Sequence, residues 1–358
     1  MQNTGRIRVD ETLFSAGRVV AVVVTFNRCA QLQHSLCCLL AAPEHQLSGI
    51  VVVDNASSDG TEAWLSNLED SRLSVLRLPQ NVGGAGGFAE GLSKAVERFN
   101  ADWVLLMDDD AYPTRNALQA FHASARPRNR AFCAAVYDPS GRVSVINRPF
   151  WNPFRSSRRF LMTLLRGKSA YYVSNRQFES SNSLPVDFAT FVGFFVSAEA
   201  LQCVAPPDRR FFIYCDDLDF CARLTRSGVD IHFDPSIRFY HDCKTFNAGR
   251  RVYDPLWKSY YAHRNGLYFA RCVAGRLKTP ITLGLVLLWA LRSVFYRRPH
   301  RYLELLWWAL KDACANDFSR PHTDILRRAA RGTGWQSTVK AMPHVEQSRQ
   351  LSATKNEL

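Results

Sequence analysis

Arg18-Val-Val-Ala-Val-Val-Val-Thr-Phe26 is an almost unbroken run of apolar, mostly β-branched residues. A run of this kind predicts a strand that is buried on both faces, as in a parallel sheet covered by helices. Apolar residues at helical spacing follow at once in Cys29–Leu40, so a strand is succeeded by a helix. This first unit predicts an α/β fold.

The same alternation continues along the chain. The further predicted strands are Ile50–Asp54, Leu73–Leu78 and Trp103–Met107, and the predicted helices between them run from the Ser57 turn to Leu68 and around Phe88–Phe99. Alternating strands and helices predict a mostly parallel sheet with helices on both faces. Ligands bind at the C-terminal edge of such sheets, and Thr25, Asp54 and Asp108 each stand at the end of a predicted strand.

The rest of the chain is less regular and then helical. Residues 137–183 contain the basic, aromatic stretch Arg148–Arg159, which we interpret as a mobile or membrane-near excursion. Short strands are predicted at Ile231–Phe233 and Ile237–Tyr240, and a helical pattern begins at Trp257. We expect an N-terminal segment at 1–17, a main domain at 18–271 and a helical extension at 272–358, with a polar tail from about 333.

Composition limits the classes of protein. The 358 residues are 47% hydrophobic and carry a formal net charge of +13, which argues against disorder and suits an anionic membrane or a phosphorylated substrate. Nucleic acid is not an expected partner, because the basic residues concentrate near apolar helices. Residues 1–17 lack the apolar core of a signal peptide, so a cytoplasmic location is expected. The ten cysteines match no structural zinc spacing, and we expect reduced thiols.

Two apolar stretches near the C-terminus bear on membrane binding. Ile281–Leu291 is uncharged over 11 residues and is followed by an arginine cluster, whereas crossing a bilayer needs about 20 residues. Tyr302–Leu310 is shorter and contains Glu304. These features favour an interfacial helix on an anionic membrane surface. The alternative is an amphipathic pair that packs on the main domain or on a second subunit of a homo-oligomer.

Three consecutive carboxylates are the strongest functional signal. Asp108, Asp109 and Asp110 directly follow the predicted strand Trp103–Met107. Turn capping explains one such residue, but three would repel one another without a cation. Hard divalent cations prefer oxygen ligands, so we expect Mn²⁺ or Mg²⁺ here.

Two turns at the same predicted edge are candidates for ligand binding. Asp54 ends a strand, where its carboxylate can accept a hydrogen bond from a nucleobase or a ribose hydroxyl. Ser57 and Asp59, which follow, are more simply helix caps. The turn Asn81–Phe88 contains Gly84, and its glycines either allow close approach of a ligand or make a tight turn.

The segment Tyr214–Phe220 supplies a candidate base. Asp216 and Asp217 precede a predicted helix, and mutual repulsion raises the basicity of one member of such a pair. Helix capping by Asp216 is the structural alternative. His241 follows the last predicted strand; alone it suits a buried residue, but beside a carboxylate site it suits a metal ligand.

These motifs, in their order, resemble family 2 glycosyltransferases of the GT-A fold. VVVTFNR, VVVDNASSDGT, NVGGAGG, LLMDDDA, IYCDDLDF and RFYHD carry the resemblance, and Trp257–Asn265 makes it most similar to bacterial galactofuranosyltransferases. The resemblance covers about Arg18–Arg271. It implies inverting single displacement from UDP-galactofuranose onto a glycan or lipid-linked acceptor.

The resemblance also implies residue roles. The implied donor-binding residues are Thr25, Asn27, Arg28, Asp54, Asn81, Gly84 and Asp109. The implied metal ligands are Asp108, Asp110 and His241, and the implied general base is Asp217. Phe194, Phe195 and Asp216 are candidates for the acceptor site, and burial in an aromatic core is the favoured alternative for the two phenylalanines.

Departures from the pattern leave alternatives open. The chain is much shorter than polymerising relatives, and Asp-Cys-Lys follows His241, so the acceptor stays open. Related rhamnosyltransferases with dTDP-rhamnose share almost the same motifs. A nicotinamide dehydrogenase is a weaker alternative, because its glycine motif should follow the first strand. A non-catalytic membrane scaffold is the remaining one.

Overall fold

The computed structural model describes residues 16–243 and 252–330. The strands in these ranges are β1 (Val19–Thr25), β2 (Gly49–Asp54), β3 (Leu73–Arg77), β4 (Trp103–Asp108), β5 (Ala111–Pro113), β6 (Arg130–Tyr137), β7 (Leu184–Val186), β8 (Phe194–Ser197) and β9 (Asp230–His241). Strand β9 unites the two short strands expected before His241.

The helices fall between the strands and then form the C-terminal part. They are α1 (Cys29–Leu40), α2 (Thr61–Leu65), α3 (Gly83–Phe99), α4 (Ala117–His122), α5 (Ser157–Arg166), α6 (Asn175–Phe178), α7 (Ala198–Gln202), α8 (Asp216–Arg226), α9 (Lys258–Val273), α10 (Lys278–Leu291), α11 (Pro299–Ala315) and α12 (His322–Ala330). Helix α1 has the expected bounds, α2 is shorter than expected, and α3 begins inside the glycine turn.

One mixed sheet organises the main domain, in the order β3-β2-β1-β4-β8-β6-β9-β5, with β7 also paired to β9. Strands β1 to β4 pair in parallel, as expected. Strand β8 runs antiparallel between β4 and β6, and β5 pairs antiparallel with β9. The α/β class is confirmed, and the sheet is mixed in its second half.

Alternation along β1 shows why the first strand is apolar throughout. Val20, Val22 and Val24 enter one core cluster, whereas Val19 and Val23 enter the cluster on the opposite face. Successive side chains of a strand point to opposite faces, so both faces of the sheet are covered. Burial on both faces is what a β-branched run predicts.

Phe194 and Phe195 of β8 correct one expectation. Both side chains are fully buried, one in each core cluster, and Phe195 stacks on Phe121 at 4.1 Å between ring centroids. An acceptor cannot reach side chains in these positions without opening the core. They therefore stabilise the sheet and do not floor an acceptor site.

The basic excursion is more anchored than expected. Arg148 donates to the Val173 carbonyl, the Trp151 indole N–H donates to the Pro185 carbonyl at 2.8 Å, and Arg155 pairs with Asp187 at 2.8 Å. Helix α5, which follows, has no buried residue among those described. The stretch is thus fastened to the domain and presents an exposed helix.

The C-terminal helices divide into a packed pair and an exposed helix. Helix α11 buries Leu305 and Ala309 together with Tyr260 of α9 in a separate apolar cluster. Within the described ranges, Gly275–Phe295 is the one helical segment long and apolar enough to cross a membrane, with 21 residues and no burial. This helical segment is therefore longer than the uncharged stretch of 11 residues that, judged from the sequence, is too short to cross a bilayer. Residues 1–15 and 331–358, which hold most of the N-terminal segment and the predicted tail, lie outside the described residues.

Candidate active site

Strand register brings the predicted site residues to one edge. Thr25 pairs with Asp54 across β1 and β2, and Val24 pairs with Asp108 across β1 and β4. On the far side, antiparallel pairing aligns Ala111 of β5 with His241 of β9. Backbone pairing thus positions the aspartates and the histidine before any side-chain contact is considered.

Asp109 lies at the centre of a hydrogen-bond network. Its Oδ2 accepts from Thr25 Oγ1 at 2.7 Å, and its Oδ1 accepts from Arg28 Nη1 at 3.1 Å. The same Arg28 nitrogen lies 2.6 Å from Asp110 Oδ2. Arg28 therefore spans two of the three carboxylates and offsets part of their repulsion.

Protonation of the three aspartates differs with their surroundings. Burial, reinforced by the charge of Asp110, raises the pKa of Asp108 to about 7. Burial also raises the pKa of Asp109 to about 6, against the opposing charge of Arg28. Burial acts in the same direction on Asp110, but its bonds to His241 and Arg28 outweigh it and lower its pKa. A cation would favour the charged forms of all three.

His241 is held from both ring nitrogens. Nε2 lies 3.0 Å from Asp110 Oδ1, and Nδ1 lies 2.7 Å from Asn147 Oδ1. The Asn147 amide is oriented in turn, because its Nδ2 donates to Thr190 Oγ1 at 2.9 Å. Both nitrogens thus face acceptor oxygens: burial lowers the pKa of His241, but the hydrogen bond and the charge of Asp110 outweigh it and raise the pKa. A cation would take the place of the hydrogen on Nε2, whereas the hydrogen on Nδ1 stays with the Asn147 oxygen.

Sequence reasoning missed Asn147. It lies in the irregular region between β6 and α5, where no periodicity marks it. It reaches His241 across 94 positions of sequence. No local signal identifies such a partner.

The donor chemistry of this edge fits a divalent cation. Ligand atoms of Asp110, His241 and Cys243 lie within 4.8 Å of one another. Carboxylate oxygen and imidazole nitrogen suit Mn²⁺, and carboxylates suit Mg²⁺. Asp108, the other expected ligand, is not a member of this group, but the charges of Asp110 and His241 act on it. Sequence reasoning set Cys243 aside as a ligand, because the cysteines match no structural zinc spacing.

Asp54 is engaged more fully than the sequence indicated. Its Oδ1 accepts from Ser57 N at 2.9 Å, its Oδ2 pairs with Arg77 at 2.8 Å, and the residue is only 1% exposed. Arg77 was also missed, although it ends β3 at the same edge. Asn27 joins the neighbouring loop, since its Oδ1 accepts from Ser58 N at 2.7 Å.

The glycine turn opens α3. Asn81 Oδ1 accepts from Gly83 N at 2.8 Å. A Cβ atom at Gly83, where φ is +76°, would lie 2.1 Å from the Phe212 carbonyl oxygen, whereas one at Gly84 would meet nothing within 4 Å. Gly83 is therefore required by packing, and Gly84 offers open backbone.

Asp216 and Asp217 begin α8 in a way that differs from the expected cap. Cys215, in the left-handed conformation with φ +63°, is the N-cap, and Asp216 is the first helical residue. Burial and the charge of Asp217 raise the pKa of Asp216 to about 8. Burial raises the pKa of Asp217 to about 7, with a further contribution from Asp108. The repulsion expected within the pair thus raises the basicity of Asp216, and Asp217 owes its own shift to burial and Asp108.

Helix α9 holds the loop before Asp216. Asn265 Nδ2 donates to three backbone carbonyls in this loop, at 3.0 Å (Phe211), 2.7 Å (Ile213) and 2.9 Å (Tyr214). Three residues of this loop have positive φ, namely Phe212, Tyr214 and Cys215. Such conformations persist only where the surroundings hold them. Asn265 therefore positions the start of α8.

The chain is similar to several curated glycosyltransferases. Galactofuranosyltransferase GlfT1 of Mycolicibacterium smegmatis is 28% identical over 261 residues, which cover 70% of this chain and 82% of the relative. GlfT1 of Mycobacterium tuberculosis is 30% identical over 265 residues, which cover 70% and 81%. N-acetylglucosaminyl-diphospho-decaprenol L-rhamnosyltransferase of M. tuberculosis is 26% identical over 289 residues, which cover 78% and 91%.

A solved structure and a family profile complete the comparison. The structure of GalNAc-T7 with UDP, GalNAc and Mn²⁺ is 13% identical, with a TM-score of 0.51 over 71% of this chain and 47% of that one, which supports the fold alone. Residues 20–199 match the profile of Glycosyl transferase family 2. The family match rules out the nicotinamide dehydrogenase alternative, and similarity to relatives that are named as transferases argues against a non-catalytic scaffold. The chain belongs to glycosyl transferase family 2 and is a glycosyltransferase with the GT-A fold.

Proposed function

We propose that this protein is an inverting, metal-dependent transferase that moves galactofuranose from UDP-galactofuranose to a glycan or lipid-linked acceptor. The observation that carries the proposal is the edge of the sheet where Asp110, which follows Asp108 and Asp109, lies 3.0 Å from His241, and where the charge of Asp108 acts on Asp217. Similarity to galactofuranosyltransferases supports the choice of donor. Synthesis of a bacterial cell-surface polysaccharide is the proposed setting.

The metal is assigned by its ligands. Asp108, Asp110 and His241 would hold Mn²⁺ or Mg²⁺, because these oxygen and nitrogen donors suit such ions. When bound, the ion supplies positive charge that stabilises the departing diphosphate.

The remaining residues are assigned to donor binding. Thr25, Asn27 and Arg28 occupy the loop after β1 and are proposed to bind the diphosphate and uridine, and Asp109, bonded to two of them, faces the donor. Asp54 is proposed to read the base or ribose. Asn81 would offer a polar side chain to the donor, and Gly84 would offer open backbone. Arg77 neutralises Asp54 and thereby sets the charge at the base-binding end.

Asp217 is the proposed general base. A sugar hydroxyl has a pKa far above neutrality, so its proton must be accepted as the new glycosidic bond forms. A carboxylate with a pKa of about 7 is a better acceptor than an ordinary aspartate and is still largely ionised slightly above neutral pH. Asp216, which is buried, is proposed on the acceptor side.

A rhamnosyltransferase that uses dTDP-rhamnose is the second candidate. The observation that favours it is the 26% identity to the decaprenol-linked rhamnosyltransferase over 78% of this chain. The metal site and the general base, Asp217, would be the same for both candidates. The two candidates differ in the transferred sugar and in the nucleoside of the donor, because UDP carries uracil on ribose and dTDP carries thymine on 2′-deoxyribose.

We further propose a peripheral position on the cytoplasmic face of the membrane. Leu287 and Leu291 of α10 are each 63% exposed, and Arg292, Arg297 and Arg298 follow. Apolar and basic residues together favour an anionic bilayer surface. Helix α5 adds exposed Leu164 and Leu165 beside basic residues.

The test compares donors and one matched pair of variants. Purified protein with Mn²⁺ is assayed for binding and turnover of UDP-galactofuranose, UDP-galactopyranose and dTDP-rhamnose. Asp217→Asn should lower turnover by about 10²- to 10⁴-fold while donor binding persists, because only the base is lost. Asp219→Asn, in the same helix but paired with Arg223, is the control and should retain turnover.

The outcomes separate the candidates. Preference for UDP-galactofuranose supports the proposal, and preference for dTDP-rhamnose selects the second candidate. Unchanged turnover in Asp217→Asn would remove Asp217 from the mechanism. Absence of metal-dependent turnover with all three donors would contradict both candidates.

A further inference from the structure

Cys243 brings a third kind of donor atom to the metal-binding edge. Its Sγ, a carboxylate oxygen of Asp110 and a ring nitrogen of His241 all lie within 4.8 Å of one another. The three residues share this position for a structural reason. Asp110 precedes β5 and His241 ends β9, and these strands pair so that Asp242 N donates to the Asp110 carbonyl at 2.9 Å.

The spacing of His241 and Cys243 explains why both reach the same place. In extended backbone, residues two apart point to the same face. The residue between them, Asp242, is held by its backbone hydrogen bond to Asp110. The order His241-Asp242-Cys243 therefore places sulfur beside the imidazole.

We propose that the Cys243 thiolate is a ligand of the bound metal, which makes the centre a mixed oxygen, nitrogen and sulfur site. On binding, a metal–sulfur bond forms, the S–H bond breaks and its proton passes to the solvent. The inference rests on the metal site of the proposed function and goes beyond it by naming sulfur as a ligand.

A bound cation would itself favour the thiolate, because a metal ion stabilises the charged form of a coordinating thiol.

A thiolate changes which metals the site prefers. Soft sulfur ligands favour Zn²⁺ and related transition metals, whereas Mg²⁺ prefers oxygen alone. The site should therefore bind Co²⁺ and Zn²⁺ more tightly than Mg²⁺. A site made only of Asp108, Asp110 and His241 would have no sulfur and a weaker preference of this kind.

Cobalt substitution gives a direct test. The metal-free full-length protein is titrated with Co²⁺ and followed by absorption. A thiolate ligand produces a near-ultraviolet sulfur-to-cobalt charge-transfer band in addition to the visible cobalt bands. Cys243→Ser should lose the charge-transfer band and keep the visible bands. Cys272→Ser, which removes an exposed thiol on α9, should keep both.

Affinity gives a second readout. Cys243→Ser should weaken Zn²⁺ binding in a chelator competition by at least about tenfold, since even loss of a residue that only supports a ligand costs that much. Mg²⁺ binding should change less. Thermal unfolding of each variant checks that the fold persists.

The outcomes distinguish this inference from the proposed function. Visible cobalt bands without a charge-transfer band in the wild type would overturn the thiolate ligand and leave the metal site standing. A charge-transfer band that survives Cys243→Ser would also overturn it. If neither Co²⁺ nor Mn²⁺ binds, the metal site of the proposed function fails as well.

Discussion

Asn147 is the residue on which the orientation of His241 depends. Its Oδ1 is 2.7 Å from His241 Nδ1, and this contact directs Nε2 toward Asp110. Asn147→Ala should weaken Mn²⁺ binding by about 10- to 100-fold, because the ring loses its fixed tautomer and orientation. The measurement is a titration of free Mn²⁺ by electron paramagnetic resonance.

Asn147→Asp is the matched variant for that prediction. It keeps an oxygen at the same place, so Mn²⁺ affinity should be retained or increased. Equal affinities in the wild type and both variants would show that Asn147 plays no part in orienting the ligand.

Asp216 makes stability depend on pH. Its pKa is raised from 3.8 to about 8 by burial and by Asp217, so the folded state holds this proton more tightly than the unfolded state. The contribution to stability is full below about pH 4 and is lost as pH rises toward 8. Asp216→Asn should therefore increase the free energy of unfolding more at pH 8 than at pH 5, by at least about 1 kcal/mol.

Urea unfolding of metal-free protein at the two pH values measures this difference. Asp219→Asn serves as the control, since it removes an ion pair with Arg223 and should lose stability instead. The same gain for Asp216→Asn at both pH values would refute the assignment.

At the scale of elements, the first turn of α3 shows why two adjacent glycines differ. Gly83→Ala should lower the free energy of unfolding by at least about 2 kcal/mol, because its Cβ would lie 2.1 Å from the Phe212 carbonyl oxygen and φ is +76°. Gly84→Ala should leave stability unchanged or raise it by up to about 1 kcal/mol, as alanine favours helix. Chemical denaturation compares the two.

Donor binding completes that comparison. Gly84→Ala should weaken donor binding if the donor approaches the open backbone there, although the fold stays intact. Two variants of equal stability would show that the approach of Phe212 to Gly83 does not constrain the chain.

At the scale of the whole molecule, α10 is the element that we propose contacts a membrane. Leu287→Glu with Leu291→Glu should lower binding to anionic vesicles by about tenfold or more, because each leucine contributes on the order of 1.5 kcal/mol when buried in the interface. The folded state should be unaffected, since both side chains are exposed. Vesicle sedimentation at low and high salt measures the effect.

Val96→Glu is the matched control, because Val96 is an exposed apolar residue on α3, in the main domain. It should leave vesicle binding unchanged. If the double variant instead splits a dimer in analytical ultracentrifugation and vesicle binding is unaltered, α10 contacts a second subunit and the membrane proposal is wrong.

The sequence by itself determined the half of the sheet formed by β1 to β4 and identified the carboxylates of the candidate site. Strands β1, β2, β3 and β4 and helix α1 were predicted with bounds close to those observed. A strand that is buried on both faces needs apolar residues at every position, and a helix that is buried on one face needs them at helical spacing. Both patterns are visible in neighbouring residues of the sequence. The position of Asp108, Asp109 and Asp110 after a buried strand placed them at the ligand-binding edge for the same reason.

Only the tertiary structure decided which distant residues complete the site. The pairing of β5 with β9 sets His241 and Cys243 beside Asp110, Asn147 arrives from an irregular region, and Asn265 of α9 holds the loop before Asp216. The tertiary structure also decided that Phe194 and Phe195 are buried and that α10 has exposed leucines. Such contacts depend on how whole elements pack, and local periodicity carries no record of a partner that lies tens of residues away.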